Sequence, residues 1–149
     1  MHRKRIITIL SLILLFFSCE KSQQSTIPDV RVNFSCNIVQ SEFAAIQIPG
    51  QFVKVSRDNH NVNVGYGGLI IGQSIYPDNG YCAFDAACPV ECDTKVSVNI
   101  LDLGINGAIC PSCGTTYNLS NFGFSNEKDR EPLKRYRVSV SGNTLQVNN

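Results

Sequence analysis

Between residues 30 and 38 the chain alternates. Val30, Val32, Phe34, Cys36 and Ile38 are apolar, and Arg31, Asn33, Ser35 and Asn37 between them are polar. Successive side chains of a strand point to opposite faces, so this period of two predicts a strand with one buried face. Further strand-like runs fall at 52–55, 62–64, 69–71, 81–84, 96–100, 108–110, 115–119, 136–140 and 144–147. Residues 41–45 suit a single helical turn ahead of Pro49-Gly50. Asn79-Gly80, Asn106-Gly107 and Gly142-Asn143 supply turn chemistry, because asparagine and glycine accept the positive φ that tight hairpins need. Gly65-Tyr66-Gly67-Gly68 runs into the apolar stretch 69–71 and predicts a turn or bulge, since a phosphate loop would lead into a helix. Many short strands with turns between them predict an all-β domain, a small sandwich or barrel.

The N-terminus follows other rules. Arg3, Lys4 and Arg5 precede an apolar run of twelve residues, 6–17, interrupted only by Thr8 and Ser11. A bilayer core needs about 20 apolar residues, so this stretch is the wrong length for a span and the right layout for a secretory signal. Its end, Leu15-Phe16-Phe17-Ser18-Cys19, resembles the lipobox of bacterial lipoproteins. That resemblance implies a signal peptide over 1–18, lipidation of Cys19, and a domain held outside the cytoplasm in the cell envelope by its lipid anchor. A plain secreted protein or an uncleaved anchor is the alternative. Acyl chains contribute roughly 0.8 kcal/mol per buried methylene, so several together hold a domain durably at a membrane. Residues 19–29 are polar and aperiodic, as a flexible tether would be, and 30–149 suffice for one domain. Without the leader, ten bases face twelve acids, a net charge of −2 that offers no basic face for nucleic acid.

Chemistry concentrates in cysteine. Apart from Cys19 there are Cys36, Cys82, Cys88, Cys92, Cys110 and Cys113. The last four form two short-spaced pairs, Cys88-Pro89-Val90-Glu91-Cys92 and Cys110-Pro111-Ser112-Cys113-Gly114. Two such pairs can bring four sulfurs around one tetrahedral ion, and soft thiolates select zinc or iron–sulfur centres over magnesium or calcium. Disulfides compete with this reading, because an exported chain matures where thiols oxidise. Cys36 and Cys82 lie on strand patterns and are expected to be two core thiols.

With these residues in view, the chain resembles the Rieske iron–sulfur domain family from about residue 48 to residue 147. Cys110-Pro111-Ser112-Cys113-Gly114-Thr115, followed by Tyr117-Asn118-Leu119, is similar to that family's second ligand loop and the strand after it. The stretch from Tyr81 to Pro89 resembles the strand entering the first loop. Pro132-Leu133 and the segments 134–138 and 142–147 resemble its closing hairpin. The resemblance implies a Rieske-like β-fold with a two-loop cysteine subdomain. A Rieske cluster takes two cysteines on one iron and two histidines on the other. Here Cys88 and Cys110 stand at the cysteine positions, Val90 at the first histidine position and Cys113 at the second. The one histidine after the leader, His60, lies outside both loops, so a two-histidine cluster cannot be assembled from this chain.

Three outcomes follow for the site: a two-iron, two-sulfur cluster on Cys88, Cys92, Cys110 and Cys113; a single zinc or iron on the same four sulfurs; or an empty, oxidised site. No nucleophile–base set accompanies Asp85, Glu91 or His60, and a carrier or binding module is expected rather than a catalyst. The leading expectation is a membrane-anchored Rieske-like metal or iron–sulfur protein serving a redox partner. The alternative is a structural or interaction lipoprotein whose loop cysteines hold zinc or disulfides.

Overall fold

A computed structural model describes residues 25–101 and 106–149. The expected signal peptide and Cys19 lie outside the described residues. Among the described residues ten strands run in chain order: β1 Asn33–Asn37, β2 Phe52–Val55, β3 Leu69–Gln73, β4 Tyr81–Asp85, β5 Asn99–Ile100, β6 Gly107–Ile109, β7 Thr116–Asn118, β8 Phe124–Ser125, β9 Arg135–Ser141 and β10 Thr144–Asn148. The fold is all-β, as the alternating pattern predicts. Its only helical elements among the described residues are 3₁₀ turns at Ala44–Gln47 and Pro77–Asn79. No described helix is long and apolar enough to cross a membrane.

Six strands form one antiparallel sheet in the order β1-β10-β9-β4-β3-β2, and four form a smaller sheet in the order β5-β6-β7-β8. β1 keeps the expected alternation, with Phe34 and Cys36 buried and Asn33, Ser35 and Asn37 exposed. β3 and β4 are buried on both faces, which is why they read as unbroken apolar runs instead of alternating ones. Leu69, Ile71 and Ala83 point into one core with Phe34, Cys36, Tyr136, Leu145 and Val147. Ile70, Cys82 and Phe84 point into a second core, shared with the small sheet and the cysteine loops. Cys36 and Cys82 therefore belong to different cores, and burial pushes the Cys36 thiol up to about 11 and the Cys82 thiol upward. They are separate core thiols.

Two expectations need correcting. Residues 62–64 form no strand and contribute only an isolated bridge between Asn63 and Arg57. The outward Val62 has no apolar surface to cover it, and it stays exposed. The tether is also shorter than composition suggests. Ser25 Oγ and the Thr26 amide each donate to the Glu131 carboxylate at 2.8 Å. Ile27 is buried against Ala87 and Cys92, and Lys134 Nζ donates to the Pro28 carbonyl and to Asp29 at 3.0 Å. One buried isoleucine and a set of mid-chain partners, invisible in a local window of polar residues, hold this strap in place. The C-terminus lies alongside it, where Asn149 accepts from the Val32 amide and donates to Asp29 and to the Val30 carbonyl.

Candidate metal centre

Two loops build the site, and the sheets hold both. β4 ends at Asp85, whose fully buried carboxylate accepts from the Tyr66 amide at 2.5 Å, the Gly67 and Ala87 amides at 2.8 Å and the Tyr136 hydroxyl at 2.7 Å. This clamp fixes the glycine-rich turn against the first residues of the loop. Gly67 is required there, because a Cβ would stand 2.5 Å from the Ala87 nitrogen. The first loop then closes on itself through Cys88 N–H to the Val96 carbonyl at 2.8 Å and Val98 N–H to the Ala86 carbonyl at 2.8 Å. The second loop is the tip of the β6–β7 hairpin. Cys110 N–H donates to Thr115 O at 2.9 Å and Gly114 N–H to Cys110 O at 3.0 Å, with Gly114 at φ 72° turning the chain back.

Three of the four expected ligands converge. The Sγ atoms of Cys88, Cys110 and Cys113 all lie within 4.8 Å of one another. Cys88 Sγ and Cys113 Sγ are 3.7 Å apart. Cys88 and Cys110 are fully buried and Cys113 is partly exposed, so the cluster meets solvent on the Cys113 side. Hydroxyl groups approach the sulfurs: Tyr117 Oη stands 3.2 Å from Cys88 Sγ, and Thr115 Oγ1 stands 3.1 Å from Cys113 Sγ. Burial pushes the Cys110 thiol up to about 11. Burial also acts against ionisation of Cys113, but hydrogen bonds from Thr115 and the neighbouring thiols outweigh it and hold this thiol below its ordinary range. Burial raises the Tyr117 phenol, reinforced by its contact with Cys88, so it stays protonated and able to donate to sulfur.

Cys92 does not join them. Its thiol donates to the Thr26 carbonyl at 3.4 Å, and its side chain packs with Ile27 and Ala87. After Cys88 one turn closes through Glu91 N–H to Cys88 O and a second through Lys95 N–H to Cys92 O, and Cys92, between them, faces the strap instead of the other sulfurs. The four-sulfur set expected from spacing is thus corrected to three. Val90, at the position of the missing first histidine, is exposed at the loop surface. His60 sits in an exposed turn built on Asp58, whose carboxylate accepts from the His60 and Val62 amides.

The donor set fits a soft ion. A metal–sulfur bond of about 2.3 Å gives a tetrahedron whose edge is about 3.8 Å, close to the Cys88–Cys113 separation. Hydroxyl donors aimed at two of the sulfurs suit thiolates that carry charge. Tyr117 and Thr115 were not singled out as sulfur partners in sequence. The available signal was their spacing of two in extended chain, with Thr115 just before β7 and Tyr117 within it, which turns both toward one side.

No protein-family model matches the chain, and no curated protein sequence matches it. Solved structures do align with it. One described as the small subunit of an NADPH nitrite reductase is 17% identical at a TM-score of 0.43, over 80% of this chain and 98% of that one. A small subunit of an NADH-dependent nitrite reductase from Mycobacterium tuberculosis is 18% identical at 0.44, over 81% and 97%. The ferredoxin of carbazole 1,9a-dioxygenase from Nocardioides aromaticivorans IC177 is 13% identical at 0.47, over 80% and 97%. At such identities and scores the likeness concerns chain path alone, and the site rests on its own geometry.

Proposed function

We propose that this chain is a lipid-anchored metal–thiolate protein on a Rieske-like scaffold, and that it serves as an electron-transfer module when its metal is iron. The observation that carries this reading is the convergence of Cys88, Cys110 and Cys113 from two loop tips, with Sγ atoms mutually within 4.8 Å. Three sulfurs this close favour one ion over a two-iron cluster, whose ligands on opposite irons stand farther apart than the edge of a single tetrahedron. Three thiolates leave one tetrahedral position for solvent or a partner's group. Bound there, the ion would supply a charge that neutralises the thiolates and, if it is iron, a one-electron couple. The chain's own part is to hold the sulfurs, to donate from Tyr117 and Thr115, and to keep Cys88 and Cys110 away from water. The lipid on Cys19 would confine all this to a membrane surface in the cell envelope, within reach of a redox partner.

A second reading has its own observation. Cys88 Sγ and Cys113 Sγ are 3.7 Å apart, and small side-chain rotations would bring them to bonding distance. The domain would then be a structural or interaction module with an oxidised pair. One experiment separates the two. The mature, unlipidated domain is purified without oxygen, and metal, acid-labile sulfide and free thiols are counted. About one zinc or iron per chain with no sulfide, lost in Cys113→Ser, is the expected result. Two irons with sulfide would restore the cluster, while no metal together with two missing thiols would establish the oxidised module.

A further inference from the structure

We infer that the face around Ser25, Phe124 and Arg135 rests on a lipid headgroup surface, which places the rim of the cysteine loops beside the membrane. The inference rests on the lipid anchor proposed above and goes beyond it, because an anchor alone leaves every orientation open.

The strap narrows that freedom. The described chain enters at Ser25, and Ser25 and Thr26 are tied to Glu131 while Ile27 is buried under the first cysteine loop. Only residues 20–24 separate Ser25 from Cys19, so the acylated cysteine lies at most about 21 Å from Ser25, at ~3.5 Å per residue. With Cys19 held in the bilayer, the surface around Ser25 stands no farther from it than that leash.

That surface suits a headgroup layer. Ser25 lines a shallow cavity of about 350 Å³ together with Phe122, Phe124, Leu133 and Arg135. The Phe124 ring is half exposed, at 50%. The Arg135 guanidinium lies 4.5 Å from the centre of the Phe122 ring. Lys128, Arg130 and Arg135 are exposed along the same stretch. Glu127, Asp129 and Glu131 alternate with them, and Glu127 and Glu131 keep their charge while accepting from Ser125, Thr116, Ser25 and Thr26, so the cations are interleaved with acids. An exposed aromatic ring beside a guanidinium is what a membrane interface accommodates. The opposite end of the sheet offers neither. Val140 lies five residues along β9 from Arg135, about 17 Å away, and residues 138–144 carry no charge.

The chain contains no tryptophan, so one introduced indole reports alone. Phe124→Trp and Val140→Trp both fall at exposed positions. Each lipidated protein is reconstituted into phosphatidylethanolamine–phosphatidylglycerol vesicles doped with a dansyl-headgroup lipid, and energy transfer from tryptophan to dansyl is measured. Transfer several-fold stronger from F124W than from V140W is the expected result. Equal or reversed transfer in vesicle-bound protein overturns the orientation and leaves the anchor standing. Protein that fails to stay with the vesicles overturns both. A second pair, Lys128→Trp against Val39→Trp, repeats the comparison should either first variant prove unstable. Cys19→Ser should abolish transfer at every position, and transfer that survives it would show the face binding lipid while sinking the anchor.

Discussion

Asp85 shows how much one residue can hold. Its four hydrogen bonds join the glycine-rich turn, the first cysteine loop and β9, and no cation is among its partners. Asp85→Ala would strand the buried Ala87 amide, the half-buried Tyr66 and Gly67 amides and a buried phenol. The expected loss is about 3 kcal/mol, read as a lower urea midpoint with an unchanged slope. Little of this was visible beforehand, since the partners Tyr66 and Tyr136 lie far from Asp85 in sequence and nothing local marks them. The sulfur ligands differ in this respect. Cys88, Cys110 and Cys113 were legible because loop chemistry is written locally, in proline, glycine and spacing. Cys92 was not, because the spacing says that a residue belongs to a loop and leaves open which flank it faces. The turn from Cys88 to Glu91 decides that, along with a buried isoleucine more than sixty positions away.

At the scale of elements, patterns spoke clearly where a strand had a core to bury. β1, β2, β9 and β10 fall within a residue or three of the expected runs. The run at 96–100 contracts to β5 with a single bridge from Ser97 to Ala87, since most of it serves to close the first loop. β8 was missed, as Phe124–Ser125 is two residues long and its phenylalanine points outward. Its hairpin carries a testable charge. Glu127 accepts from Ser125 Oγ at 2.8 Å and from the Thr116 amide at 3.1 Å, and these contacts, Ser125 first, hold its carboxyl below the usual range. A folded-state pKa that is depressed adds stability above the unfolded value of about 4.5, and this is lost as pH falls through the folded value. The carboxylate is exposed, so solvent screening limits the effect to a fraction of a kcal/mol. Amide-exchange protection at Thr116 should decline on acidification below about pH 4.5, and Glu127→Gln should remove that pH dependence while lowering protection at neutral pH.

For the molecule as a whole, fold class was legible and site occupancy was not. Alternation and turn residues specify an all-β chain, whereas the charge state of three sulfurs depends on what is bound and on redox conditions. A metal held by these sulfurs would link binding to folding, because thiols from loops about twenty residues apart meet only in the folded state. Adding zinc at a hundred times its dissociation constant should stabilise the reduced domain by about 2.7 kcal/mol, and a chelator should reverse the rise in Tm. A Tm indifferent to both would count against the ion. The proximity of Asn149 to Asp29 and Val32 has a practical consequence for anyone attaching a reporter. A fluorescent protein fused after Asn149 would emerge at the strap and crowd its contacts with Asp29 and Val32, whereas one inserted at Gly142-Asn143 would project from the far end of the β9–β10 hairpin and leave the strap undisturbed.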